Sequence, residues 1–302
     1  MSRQIATLLG VFALLLWATL VGLLRLSTVH FGPIYTVTYV YTLSAIILYL
    51  TYGLPDFSKV SKKFLIISSV FFVIFEMCYA FSITLASTSE KSIELNIIFN
   101  LWPTLIIIFM AFLKEEKVNI MTILGVMISF SGVILINYHE GLNIFDSIGK
   151  NPLSYFLILV ASVLWAVYCI YTKKQSNGVN AVSLYFILTA IALWILTLST
   201  QGFQFPLVAS SWINYLVIFL NAVFFSAGYL AWNIGIIKGN MSILVMLSYF
   251  APIMSSVFSM LVLQSSLSQN FWIGSMIVTV GSLICWLSIR NSKVESMALK
   301  CK

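Results

Sequence analysis

Charge is what this chain of 302 residues has least of: Asp, Glu, Lys and Arg make up 8% of it, against about 25% in an ordinary soluble protein. Its 16 basic and 9 acidic residues cannot cover the surface of a 33.9 kDa globule, which excludes a soluble enzyme. A hydrophobic share of 61% and a mean hydropathy of +1.03 exclude a disordered chain. Cysteine is scarce as well. Cys78, Cys169 and Cys285 lie inside apolar runs, Cys301 follows them, and no spacing among the four suits a disulfide framework or a metal site. No cofactor or metal is therefore expected. The excess charge of +7 is not gathered on one face with interleaved aromatics, so nucleic acid is not an expected partner. Walker loops, HExxH pairs and nucleophile elbows are missing, and neither ATP hydrolysis nor other enzymatic activity is expected.

What the chain does have is apolar runs long enough to cross about 30 Å of hydrocarbon, which takes roughly 20 residues of helix. There are ten: Ile5–Leu24, Pro33–Tyr52, Phe64–Ala86, Ile93–Leu113, Ile120–Tyr138, Leu153–Thr172, Ala181–Ser199, Trp212–Ile236, Met241–Leu263 and Phe271–Ile289. Gly, Pro and charge punctuate the gaps, as in Gly53-Leu54-Pro55-Asp56 and Lys114-Glu115-Glu116-Lys117. The runs lack the period-two alternation of a membrane barrel. They predict an all-α membrane protein whose surroundings are the lipid bilayer. The first run is too long and too rich in Leu and Trp for a cleaved signal and is expected to stay as a span. With the N-terminus in the cytoplasm, thirteen of the sixteen basic residues fall on the cytoplasmic side, and only Arg25, Lys91 and Lys150 fall opposite. That asymmetry orients the chain with both termini cytoplasmic.

The chain also resembles itself. At an offset of 149, Pro103 meets Pro252, Gly125 meets Gly274 and Gly132 meets Gly281; at 148, Leu16-Trp17-Ala18 meets Leu164-Trp165-Ala166. The small residues Cys78, Ser82 and Ala86 meet Ala227, Ala231 and Gly235, rows that let another helix come close. The expected organisation is a first five-helix repeat at 1–145, a second at 146–290 and a cytoplasmic tail at 291–302. Five is odd, so the second repeat enters the membrane inverted. Inverted repeats are the architecture of secondary transporters with a site at the midplane.

Residues that are expensive at that depth mark the candidate site. Glu76 is the acidic residue placed near the middle of a run, with Tyr79 beside it at i+3. Asn100 follows Asn96 at i+4 and precedes Trp102 and Pro103. Pro252, beside Ser248 and Tyr249, repeats the proline in the second half, and both prolines are expected to kink their helices. Trp165, Tyr168 and Thr172 form a stripe, and Tyr229 and Asn233 a further i,i+4 pair. Trp102 and Trp165 lie too deep for the interfacial role that Trp212, Trp232 and Trp286 suit. Glu76, Tyr79, Asn100, Trp102, Pro103, Trp165, Tyr168, Tyr229, Asn233, Ser248, Tyr249 and Pro252 are thus the candidate substrate-binding residues. No Lys or Arg falls inside a run, which argues against phosphorylated cargo.

Several stretches carry a family likeness: Ser2-Arg3-Gln4, Asn100-Leu101-Trp102-Pro103, Pro152-Leu153-Ser154-Tyr155-Phe156, Ala231-Trp232-Asn233-Ile234-Gly235-Ile236, Ser248-Tyr249-Phe250 with Pro252, and Gly281-Ser282-Leu283 with Cys285-Trp286-Leu287. With ten spans in two halves, the chain resembles the drug/metabolite transporter superfamily and its EamA-type exporters. The resemblance implies a multi-pass protein of a bacterial inner membrane, exporting aromatic and other neutral amino acids by alternating access through a central cavity. Efflux of cationic or aromatic toxic compounds through the same aromatic box is the alternative. Small multidrug relatives carry an acidic residue in their first span and this chain does not; Glu115-Glu116 has no counterpart at Gln264-Ser265. Ten spans can enclose a path within one chain, so no second copy is required.

Overall fold

The structure, a computed structural model, describes residues 1–112, 120–136, 148–202, 211–248, 250–264 and 267–300. Among them there are helices and no strand, as lipid demands of backbone that cannot bond to water. In chain order these are α1 (Arg3–Ala18), α2 (Leu20–Phe31), α3 (Pro33–Tyr52), α4 (Lys62–Thr84), α5 (Ser89–Phe99), α6 (Trp102–Phe112) and α7 (Ile120–Ile136). There follow α8 (Pro152–Gln175), α9 (Val182–Gln201), α10 (Trp212–Lys238), α11 (Met241–Ser248), α12 (Ala251–Leu263) and α13 (Gln269–Lys300). Local chemistry sets the ends. Ser2, Ser61 and Thr88 accept from the backbone N–H groups of Ile5, Phe64 and Lys91. Pro33 and Pro152 open their helices, where no N–H is needed. Gly53, at φ +77°, closes α3 by turning its N–H back to the carbonyls of Leu48 and Tyr49.

Among the described residues, seven helices are long and apolar enough to cross a membrane: Arg3–Phe31 (α1 and α2 taken together), Pro33–Tyr52, Lys62–Thr84, Pro152–Gln175, Val182–Gln201, Trp212–Lys238 and Gln269–Ser288. The remaining three of the ten expected runs appear as shorter pieces: the fourth as α5 and α6, the fifth as α7, the ninth as α11 and α12. The first run differs from expectation in extent. It continues past Arg25 to Phe31, with a tight turn at Thr19, whose N–H and hydroxyl both donate to the Leu16 carbonyl (3.1 and 2.7 Å). The helix runs on past Arg25, whose Nη1 donates to the Thr84 carbonyl on α4 (3.1 Å).

The expected kinks are outright breaks. Leu101 N–H turns back to the Ile98 carbonyl and Leu105 N–H to the Leu101 carbonyl, each at 3.1 Å. In the other half Phe250 N–H bonds to Leu247 and Met254 N–H to Phe250, also at 3.1 Å and displaced by 149 positions. Pro103 and Pro252 then stand in the first turns of α6 and α12, where a missing N–H costs nothing.

Packing follows a regular scheme. The most extensive pairings are α7 with α13, α1 with α10, α4 with α8, and α3 with α9 and α10. Small residues make the close approaches. Gly10 and Gly235 face one another between α1 and α10, and Ser82 Oγ donates to the Ser154 carbonyl between α4 and α8 (2.8 Å). Along α7 and α13, Gly125 lies against the Gly281 carbonyl and Gly132 against the Gly274 carbonyl, with Thr122 and Ser288 bonded at 2.8 Å. A Cβ at position 281 would sit 2.5 Å from Ser129 N and 2.6 Å from the Gly125 carbonyl, both rigid backbone. Gly281→Val is therefore expected to cost about 1–3 kcal/mol and to lower the thermal unfolding midpoint in detergent. Gly149→Ala, with nothing within 4 Å of the new methyl, should leave it unchanged.

Candidate functional site

The two breaks face a cavity at the centre of the bundle. Its walls are Leu14, Trp17 and Ala18 of α1, Leu20 of α2, Tyr79 of α4, Asn96 and Phe99 of α5, Asn100, Trp102 of α6, Trp165 of α8, Tyr229 of α10, and Ala251 and Ser255 of α12. Its volume is about 40 Å³, against roughly 10–15 Å³ for one water. It would hold a few waters and no larger molecule, so this is a closed form.

Aromatic rings make most of the wall. Trp165 is 1% exposed and Trp102 2%, so both face inward from helices whose outer faces meet lipid. Trp165 stacks on Tyr168 (5.3 Å between centroids) and tilts against Phe75 (4.8 Å). Trp17, Trp102 and Tyr229 meet it edge-on at 5.7, 6.2 and 5.7 Å. Such offset and edge contacts suit the ring quadrupoles. Trp232, expected at the membrane interface, is instead wholly buried, with Trp17 and Trp102 at 5.1 and 5.5 Å. It follows Tyr229 at i+3, so the helix phase that turns Tyr229 inward turns Trp232 inward too. Trp212, at 71% exposure, keeps the expected outward position.

A few polar groups are set into this wall, each tied from behind. The Tyr79 hydroxyl donates to Asn96 Oδ1 (3.1 Å), and Asn96 Nδ2 donates to Ser255 Oγ (2.9 Å), which links α4, α5 and α12. Asn100 Nδ2 donates to the Asn96 carbonyl (2.7 Å) and covers one carbonyl near the break. The Trp165 indole N–H is fully buried and meets no hydrogen-bond acceptor among the described residues. Behind Trp17 lies Gly228, where a Cβ would come 2.7 Å from the indole nitrogen, so only glycine lets the ring lie there.

Of the twelve candidate residues, the structure brings Tyr79, Asn100, Trp102, Trp165 and Tyr229 to the cavity. Tyr168 stands behind Trp165 and donates to Asn233 Oδ1 (2.7 Å), while Asn233 Nδ2 donates to the Tyr229 carbonyl (3.0 Å). Ser248 is buried and donates to the Val245 carbonyl in its own helix. Pro103 shapes the break in the first half. Tyr249 and the Pro252 side chain lie outside the described residues. Glu76 is wholly buried but not on the wall: it accepts from the Tyr41 hydroxyl (2.5 Å) and has the Tyr229 hydroxyl beside it. Trp17, Asn96, Phe99 and Ser255 line the cavity and were not among the candidates. Trp17 carried a signal, since it is the repeat partner of Trp165.

Two contacts between helices lie outside the cavity lining. At one, Lys91 of α5 donates to Glu94 Oε2 (2.5 Å) and to the Tyr155 hydroxyl of α8 (3.0 Å), with 13% and 5% of the two charged side chains exposed. At the other, the Asn240 N–H donates to Thr7 Oγ1 (2.9 Å) and Gly10 and Gly235 pack Leu244 between them. No described group of three or more His, Cys, Asp and Glu could hold a metal.

Asn96 holds two partners at once, and its loss should be felt at both. Asn96→Leu is expected to cost about 1–3 kcal/mol in thermal unfolding. Tyr79→Phe should add less in that background than it costs alone, because its acceptor is already gone; equal costs would show that the Tyr79–Asn96 bond contributes nothing.

The sequence pattern of the EamA-like transporter family matches the chain twice, at residues 4–138 and 152–287. An aromatic amino acid exporter of Salmonella typhimurium, YddG, is 38% identical over 299 residues, 96% of this chain and 100% of the relative. The Escherichia coli exporter of the same name is 36% identical over 96% of this chain and 100% of its own length. That of Ancylobacter novellus is 26% identical over 85% and 88%. A solved crystal structure superimposes with a TM-score of 0.66 over 96% of this chain and 99% of the other, at 21% identity, a likeness of fold.

Proposed function

The chain belongs to the EamA-like transporter family, and we propose that within it this protein exports aromatic and other neutral amino acids from the cytoplasm. The cavity carries the reading. It is walled by Trp and Tyr rings, contains no charged side chain, and offers an unpaired buried indole N–H at Trp165. A zwitterion suits such a place. Its carboxylate accepts from Trp165 Nε1 and Asn100, and its ring lies among Trp17, Tyr79, Phe99 and Trp102, each aromatic pair contributing about 0.5–1.5 kcal/mol. A permanent cation would find no carboxylate on the wall of this closed form. Tyr168, Asn233, Ser248 and the two prolines hold the wall and its breaks in place.

Transport proceeds by alternating access between two inverted five-helix repeats at 1–145 and 146–290. Three observations support this arrangement. The family pattern matches once in each half. The helix breaks repeat bond for bond at an offset of 149. The packing obeys a two-fold rule: α1 lies on α10 as α8 lies on α4, and α11 and α12 lie on α1 as α5 and α6 lie on α8. The distribution of Lys and Arg supports cytoplasmic termini and a bacterial inner membrane as the setting. A single chain encloses the cavity, so the monomer is sufficient.

The test is radiolabelled Phe, Trp, Thr and Met in proteoliposomes. Phe and Trp are expected to move, and Trp165→Ala is expected to reduce their flux at least about tenfold, one ring contact and one hydrogen bond being lost. Trp212→Ala, on the lipid face, should leave it unchanged. Movement of none of the four by the wild type removes the reading.

A further inference from the structure

Glu76 is the one feature of the centre that a passive carrier of zwitterions does not need. It lies inside α4, 0% exposed, and no Lys, Arg or His among the described residues pairs with it. The titratable groups that face it are Tyr41 from α3, Tyr79 from α4 itself and Tyr229 from α10. The neighbouring elements turn theirs elsewhere. Tyr185 of α9 pairs with Ser68, Tyr168 of α8 with Asn233, Lys91 of α5 with Glu94 and Tyr155, and Arg25 of α2 with the Thr84 carbonyl two turns along α4. An ionised carboxylate at this depth with no counter-cation costs several kcal/mol even after relaxation. Glu76 Oε2 accepts from Tyr41, but Oε1 makes no well-formed hydrogen bond although Tyr229 is next to it. Tyr229 in turn is part of the cavity wall.

From this geometry, and resting on the export reading above, we propose that Glu76 is a proton-binding site that exchanges its proton for the ammonium group of the amino acid, so that export is coupled to inward proton movement. In the closed form the carboxyl is the neutral acid with its proton on Oε1. When the cavity opens and fills with water, the O–H bond at Oε1 breaks and the proton leaves through the Tyr229 hydroxyl, which accepts one proton and releases another to water. The carboxylate left behind needs a cation, and the ammonium of an entering zwitterion supplies it once Tyr229 swings aside. On the other side the substrate leaves, water delivers a proton to Oε1, and the carrier closes as the neutral acid. Proton and substrate cannot occupy the site together, which is the condition for antiport. Tyr229 belongs to α10 and Glu76 to α4, one from each repeat, so rocking of the repeats alters this contact in every cycle.

Proteoliposomes whose lumen is one pH unit more acidic than the bath, with the membrane potential clamped at zero, read the coupling directly. One-for-one exchange is expected to concentrate L-phenylalanine in the lumen about tenfold over the bath, in either orientation of the protein. E76Q should reach equal concentrations and no more, whatever its rate. Purified wild type in weakly buffered detergent should release about one proton for each L-phenylalanine bound, by linkage between the two ligands, E76D likewise, and E76Q none. Wild type that moves phenylalanine but does not concentrate it overturns the proposal while leaving the export reading intact, and so does E76Q that concentrates it as wild type does. If E76Q does not fold, proton release by the wild type decides, and its absence overturns the proposal. Wild type that moves no amino acid removes the export reading and this inference with it.

Discussion

A helix broken in mid-membrane exposes backbone groups that hydrocarbon will not solvate, and the centre of this protein is arranged around two such breaks. Each is tolerated because its groups find partners within a turn: Leu101 on Ile98, Phe250 on Leu247, and Asn100 on the Asn96 carbonyl. That need fixes much else. Large side chains must fill the space that the breaks leave between the helices. Four indoles, from α1, α6, α8 and α10, do so. Because rings in edge and offset contact leave gaps that aliphatic side chains would close, the centre is filled yet retains a small cavity.

How legible this was in the sequence depended on the range of the force involved. Hydropathy and proline act locally, so the apolar runs and both breaks were readable, the breaks as kinks. Trp102 and Trp165 were readable because depth alone made them odd. Asn96, Phe99 and Ser255 were not, since which face of a helix meets a cavity depends on neighbours from other helices, as far as 159 residues away for Asn96 and Ser255. The i+3 spacing of Glu76 and Tyr79 suggested a shared environment. In the fold Tyr79 lines the wall and Glu76 stands one layer behind it, a difference that turns on where Tyr229 of α10 inserts. Trp232 and Arg25 were misplaced by the same habit, a general tendency of the residue type applied where a specific partner exists: ring contacts for one, the Thr84 carbonyl for the other.

The two halves have matching breaks and matching packing, but one pair of equivalent contacts is not alike. Lys91 and Asn240 are 149 positions apart, and Tyr155 and Thr7 are 148 apart, so one contact is the repeat equivalent of the other. One is a largely buried ion pair with a tyrosine across the gap; the other is a neutral hydrogen bond flanked by glycines. The two charges stand three residues apart on α5 and stay together; only the Lys91–Tyr155 hydrogen bond crosses to another helix. A glycine contact separates with little electrostatic penalty. In the proposed orientation the charged contact faces outward and the neutral one faces the cytoplasm. In the proposed inverted arrangement the two contacts occupy equivalent places, and their side chains make them chemically different.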